Sequence, residues 1–204
     1  DIEVDANTTA AYLRWESLDA AFPTYSYHLL IKEDGDGGGT TQDITVTGVT
    51  HDTVLGLVPG SSYTVEIFAE VGGVESLVPS RKNFCTTPAP VGLFHCHTVP
   101  RNSSLVLTWS RPPGNHTGFR LGLSGGAWDT VKGCCPDNST DCRTEVPNLN
   151  YSTWYNISIA TESCGTTAAA AHNTCLPGIT DPPPPDGSPS ITSVTHNSVR
   201  VQFS

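Results

Sequence analysis

Leu57-Val-Pro-Gly-Ser-Ser-Tyr63-Thr-Val65-Glu-Ile67-Phe-Ala69 decides how this chain folds, because its pattern returns as Leu149-Asn-Tyr-Ser-Thr-Trp-Tyr155-Asn-Ile157-Ser-Ile159-Ala-Thr161. In both stretches a leucine precedes a tyrosine by six residues. The tyrosine then opens an alternation, Tyr63/Val65/Ile67/Ala69 and Tyr155/Ile157/Ile159/Thr161. A period of two puts every second side chain on one face of a β-strand, and that face is expected to be the buried side of a sandwich.

Other landmarks recur at nearly the same distance. Leu13-Arg-Trp15 returns as Leu107-Thr-Trp109, 94 residues on, and again as Val201-Gln-Phe203 after a further 94, while Tyr155 lies 92 after Tyr63. Such a period predicts an all-β array of small sandwiches rather than one large core. The units are expected at 1–87, at 88–180 with extra cysteines, and at 181–204, a proline-rich linker followed by the first strands of a third unit. With no methionine in the sequence and a third unit that stops within its second strand, the expectation is a segment of a longer protein whose first unit is incomplete at its N-terminal end.

Working outward through the first unit, Ile2 to Val4 read as a short strand, and Ala11, Leu13 and Trp15 as inward positions of the next. Tyr25, Tyr27, Leu29 and Ile31 alternate in a third strand. Asp34-Gly-Asp-Gly-Gly-Gly39 lacks the continuing ligand series and closing glutamate of a calcium loop, so it reads as a glycine-rich hairpin turn. Pro59-Gly60 bends the chain before Tyr63, and a last strand ends near Phe84-Cys85. Thr86-Thr-Pro-Ala-Pro90 is a linker too short for free swinging. The second unit repeats the order through Leu105–Trp109, the Arg111-Pro-Pro-Gly114 corner, the inward row Phe119, Leu121 and Leu123, and the tyrosine strand. Asp181-Pro-Pro-Pro-Pro-Asp186 predicts a stiff polyproline linker.

A net charge of −10 argues against nucleic acid or an anionic membrane as partner. No apolar run reaches the ~20 residues of a membrane helix. Asn-x-Ser/Thr sequons begin at Asn7, Asn102, Asn115, Asn138, Asn150 and Asn156, and together with seven cysteines they point to the secretory pathway. Asn156 alternates out of phase with Tyr155 and Ile157, which directs it to solvent.

With Trp15, Trp109 and the Leu-x-Pro-Gly-x-x-Tyr motif at 57–63 in place, the chain resembles tandem fibronectin type III domains, immunoglobulin-like seven-stranded β-sandwiches, over its whole length. The resemblance implies that Leu57 with Tyr63, and Leu149 with Tyr155, form tyrosine corners, and that Trp15 and Trp109 fill the cores. The second unit has Ser152 and Thr153 but no Pro-Gly pair between its leucine and tyrosine, so its corner is expected to be less regular. The cysteines are similar to the cysteine-rich variant of fibronectin type III domain-containing protein 7, and sequon-rich arrays of this kind also make up ectodomains of receptor-type tyrosine phosphatases.

Strand neighbourhood suggests Cys164 with Cys175 across one hairpin, Cys85 with Cys96 across the first linker, and either Cys134 or Cys135 with Cys142. The reading settles on Cys135 and leaves Cys134 as the unpaired thiol. Metal binding by Cys134, Cys135, Cys142 and His95 or His97 is the weaker reading, because adjacent cysteines do not offer regularly spaced zinc pairs. No nucleophile elbow, His-Glu-x-x-His or phosphate-binding glycine loop is present.

The expectation is therefore a non-catalytic, cofactor-free extracellular array, secreted or on a cell-surface ectodomain. It would act as a structural or adhesion and protein-recognition scaffold, the alternative being the ectodomain of a single-pass receptor such as a receptor-type tyrosine phosphatase. Its expected partners are extracellular proteins or neighbouring modules of one assembly, including a homo-oligomer or filament, with N-linked glycans and without nucleic acid or membrane contact.

Overall fold

The computed structural model describes residues 1–17, 25–35, 41–99, 104–124, 126, 128–131, 135–136, 139–150, 153–175 and 189–202. The alternating stretches form strands as their period requires. In the first module these are β1 (Ile2–Ala6), β2 (Ala10–Trp15), β3 (Tyr25–Glu33), β4 (Thr41–Thr47), β5 (His51–Leu55), β6 (Ser62–Val71), β7 (Val74–Glu75) and β8 (Ser80–Cys85). One sheet has the order β1-β2-β5, and the other β4-β3-β6-β7 with β8 also on β6. All pairings are antiparallel.

Between the two sheets lie Ala11, Leu13, Trp15, Tyr27, Leu29, Ile31, Val54, Leu57, Tyr63, Val65 and Ile67, all buried. The Trp15 and Tyr27 rings meet edge to face at 5.3 Å, a favourable aromatic geometry that fills the middle of a small core.

The second module repeats the plan with β9 (Phe94–Thr98), β10 (Leu105–Ser110), β11 (Gly118–Leu123), β12 (Trp128–Val131), β13 (Asp141–Val146), β14 (Tyr155–Ser163), β15 (Thr166–Thr167) and β16 (Ala171–Cys175). Its sheets run β13-β10-β9 and β12-β11-β14-β15, with β16 also on β14. The two-residue β7 and β15 are tips of the last hairpins, added to seven main strands. The registers superimpose residue by residue. Trp15 faces Ile2 as Trp109 faces Phe94, Leu13 faces Val4 as Leu107 faces Cys96, and Tyr63 faces Phe84 as Tyr155 faces Cys175. Trp109 and Phe119 repeat the edge-to-face pair at 5.1 Å.

Both tyrosine corners close in the same way. The Val58 N–H donates to Tyr63 Oη at 2.8 Å, and the Asn150 N–H donates to Tyr155 Oη at 2.8 Å. The second corner is thus as regular at this bond as the first. The bond needs only a leucine-anchored turn of fixed length, and the Pro-Gly pair instead faces the second module.

A third antiparallel pair, β17 (Ser190–Val194) and β18 (Val199–Gln202), follows, with Ile191, Val194, Val199 and Val201 exposed. Most of the Asp34–Gly39 turn, the proline run at 181–186 and Phe203 lie outside the described residues.

Candidate functional site at the joint between the two sandwiches

The leucine-to-tyrosine stretch of the first module also builds the surface on which the second module sits. Leu57 and Tyr63 are buried, at 4% and 3% exposure, and hold the ends of the turn, so Pro59, Gly60 and Ser61 project from the end of the sandwich. Gly60 has φ +69°, in the left-handed region that glycine enters without steric cost.

The linker is stitched to this turn. Thr86 is fully buried and its Oγ1 accepts from the Ser61 N–H at 3.0 Å while its hydroxyl donates to the Val58 carbonyl at 2.7 Å. The Thr86 N–H donates to the Ser61 carbonyl at 3.0 Å, and the Thr87 N–H to the Asn7 carbonyl at 3.1 Å. Ala89 and Val91 are each 5% exposed, and Val91 already belongs to the core of the second module. These bonds leave the linker no slack.

From the other side, the Asn115 N–H donates to the Pro59 carbonyl at 2.8 Å, Asn115 Nδ2 donates to Ser61 Oγ at 2.8 Å, and the Ser163 hydroxyl donates to the Gly60 carbonyl at 2.8 Å. The two backbones approach so closely that neither of two glycines has room for a side chain. A Cβ on Gly60 would overlap Asn115 O and lie 3.0 Å from Ser163 Cβ. One on Gly114, φ +82°, would lie 2.5 Å from Pro59 O. Beside this contact a disulfide joins Cys85, the last residue of β8, to Cys164 in the second module, with Cα atoms 6.0 Å apart. Nearby, burial first and the Arg111 guanidinium second hold the His116 imidazole below its usual pKa, which keeps it neutral near neutral pH.

The cystine pairing corrects the expectation. Cys164 pairs with Cys85 rather than Cys175, and Cys96 pairs with Cys175 rather than Cys85. The strand register explains why. Cys175 lies opposite Tyr155 at the foot of the β14–β16 hairpin, whereas Cys164 occupies the turn at its tip, after Ser163. About nine residues of extended strand, roughly 30 Å, separate them. Cys164 has φ +51° and Gly165 φ +72°, matching Gly72 at +60° and Gly73 at +81° in the first module. The signal in the sequence was a cysteine at a turn position that is glycine one repeat earlier. The third cystine joins Cys135 to Cys142, and Cys134 lies outside the described residues. Sequence reasoning did not single out Gly60, Ser61, Asn115 or Ser163 as joint residues.

Among the sequon asparagines, Asn7, Asn115, Asn150 and Asn156 are exposed, and Asn102 and Asn138 lie outside the described residues. Asn7 Oδ1 accepts the Thr9 and Ala10 N–H groups at 2.9 Å each, and Asn156 Oδ1 accepts from the Thr174 hydroxyl at 3.1 Å. His95 and His97 are exposed on β9, an edge strand.

Charged groups elsewhere form pairs. His28 lies between Glu75 Oε1 at 2.6 Å and Asp43 Oδ1 at 2.7 Å, and the hydrogen bond to Glu75, with that to Asp43, raises its pKa against the opposing effect of burial. Glu66 contacts Lys32 at 3.0 Å and Arg81 at 2.8 Å, and the Lys32 hydrogen bond leads the lowering of its pKa. Among the described residues no group of three or more His, Cys, Asp or Glu side chains is arranged to hold a metal ion, and no helix is long and apolar enough to cross a membrane.

Two sandwiches of this topology, each with a tyrosine corner and joined end to end, define a tandem pair of fibronectin type III domains. The geometry is similar to a two fibronectin type-III domain segment from chicken tenascin, with a TM-score of 0.61, 23% identity, and coverage of 85% of this chain and 96% of that one. No family model matches the chain.

By sequence, the whole chain is similar to part of receptor-type tyrosine-protein phosphatase eta, at 57% identity to the Homo sapiens protein over 208 residues and 52% to that of Mus musculus over 207. The Gallus gallus protein is 30% identical over 96% of the chain. The chain spans 16%, 17% and 14% of the lengths of these relatives.

Proposed function

We propose that this chain is a non-catalytic, extracellular spacer and recognition segment of a single-pass receptor ectodomain, with units at 1–87, 88–180 and 181–204. The observation that carries this reading is the joint. A linker pinned by Thr86, a contact that excludes side chains at Gly60 and Gly114, and the Cys85–Cys164 cystine together hold two modules in one relative orientation. A fixed orientation sets how far, and in which direction, the loops at the far end of the array are held, and those loops are where a rigid scaffold presents contacts to extracellular proteins.

The similarity to receptor-type tyrosine-protein phosphatases supports the receptor reading over a free-standing assembly protein. Phosphatase activity of the kind those names describe resides in this reading outside the present chain. N-linked glycans on Asn7, Asn150 and Asn156, all exposed, would shield the surface around them.

Secretion of the chain from mammalian cells, followed by peptide mapping without reduction, tests the proposal. Glycans at those asparagines together with a Cys85–Cys164 cross-linked peptide are expected. Recovery of an unglycosylated chain with free thiols at both positions would remove the extracellular reading.

A further inference from the structure

The three cystines are held in different ways. Cys175 and Cys142 are 2% and 0% exposed inside the core of the second module, and their half-buried partners Cys96 and Cys135 pack against the same cluster. Opening either would leave one sulfur in a close-packed interior. Cys85 and Cys164 are both only half-buried and belong to neither core cluster. Cys164 stands at the tip of a two-residue turn, where a reagent can approach from solvent.

Beyond the pinned linker, the contact between the modules is held by hydrogen bonds that are individually weak. The bonds from Asn115 to Pro59, from Asn115 to Ser61 and from Ser163 to Gly60 each exchange against water for a net contribution of about 1 kcal/mol. The cystine joins positions 79 residues apart and is the second covalent connection, beside the linker, that keeps these contacts together. Each module has its own buried cluster, so loss of the joint removes no core.

From this we infer that Cys85–Cys164 is a thiol-exchange site, at which an extracellular dithiol reductant frees one module from the other while both stay folded. A thiolate of the reductant attacks one sulfur of the cystine. The S–S bond breaks, a mixed disulfide forms, and the other cysteine leaves as a thiolate and takes up a proton. The second thiol of the reductant, as thiolate, displaces the bound cysteine, so the protein gains two thiols and the reductant leaves as a disulfide. Of the three cystines this is the one with neither cysteine enclosed in a core, and the more accessible a cystine the more labile it is in such exchange. The inference rests on the proposed rigid spacer, because exchange matters only if the closed joint fixes an orientation.

Graded dithiothreitol on the oxidised chain at neutral pH, with quenching by iodoacetamide and peptide mapping, gives the order of opening. Small-angle scattering and thermal melts on the same samples read the joint and the modules. Cys85 and Cys164 are expected to be alkylated roughly tenfold faster than Cys96, Cys175, Cys135 and Cys142, with a broadened scattering profile and unchanged melts. A Cys85→Ser/Cys164→Ser variant should scatter like the reduced protein without any reductant.

Three cystines that open together, or a reduced joint that scatters like the oxidised one, would overturn the exchange site. A broad profile already present in the oxidised chain would overturn the rigid-spacer reading itself, and the order of alkylation would still report on the cystine.

Discussion

Gly60 of the first module lies against the main-chain oxygen of Asn115 in the second, so closely that no side chain fits between them. Gly60→Ala should therefore do two things. The left-handed φ of +69° costs an alanine about 1 kcal/mol within the first module, and the methyl group pushes the Asn115 backbone away. Gly56→Ala is the control, because Gly56 has a similar φ of +73° but nothing within 4 Å. Both variants should lower the denaturation midpoint of the first module alike, and only Gly60→Ala should broaden inter-module distances measured by spin labels.

Tyr63→Phe and Tyr155→Phe each delete one hydroxyl that accepts a backbone N–H at 2.8 Å. Each change should cost about 1 kcal/mol in chemical denaturation of its own module, and the two costs should be similar. A much smaller loss at Tyr155 would show that a corner lacking Pro-Gly is the weaker one.

Cys96 and Cys175 occupy the positions held in the first module by Val4 and Phe84. The cystine thus stands where the first sandwich uses apolar packing between an edge strand and the hairpin. Cys96→Ser/Cys175→Ser should destabilise the second module by roughly 2–4 kcal/mol, and Cys96→Val/Cys175→Phe should recover part of that loss. Equal stability of the two double variants in urea titrations would refute the packing equivalence.

His28 and Glu66 give the first module opposite responses to pH. The folded-state pKa of His28 is raised, so its contribution is complete below the ordinary imidazole value of 6.5 and is lost as pH rises through the folded value. Glu66 has a lowered folded-state pKa, so its contribution is present above the ordinary carboxyl value of 4.5 and is lost as pH falls through the folded value. Between pH 6 and 8 the first module should weaken by 1 kcal/mol or less, roughly, because the His28 pair is at the surface. His28→Gln should flatten that slope in pH-dependent melts and leave the acid limb intact.

The fold was legible because it rests on local signals that repeat. The alternations at Tyr63 and Tyr155, with Trp15 and Trp109 four strands earlier, are properties of single strands, and one repeat confirms another. The joint was less legible, because Gly60, Asn115 and Ser163 carry no periodic signal and acquire a role only when two modules meet. Pro59-Gly60 read as a bend and is one, but its close approach to Asn115 depends on the facing backbone. The cystine pairing failed for a related reason. Neighbourhood along the chain placed Cys164 beside Cys175, whereas strand register sends one to the tip of the hairpin and the other to its foot.

The contact at Pro59, Gly60 and Ser61 and the Cys85–Cys164 bridge together fix the second module on the first. Residual dipolar couplings of backbone amides in the oxidised chain, fitted separately for residues 1–85 and 91–175, test this most directly. The account predicts one alignment tensor, equal in magnitude and orientation for both modules. Two tensors of different magnitude would mean that the modules reorient independently, and that the contact at Gly60 and the Cys85–Cys164 bridge do not hold them.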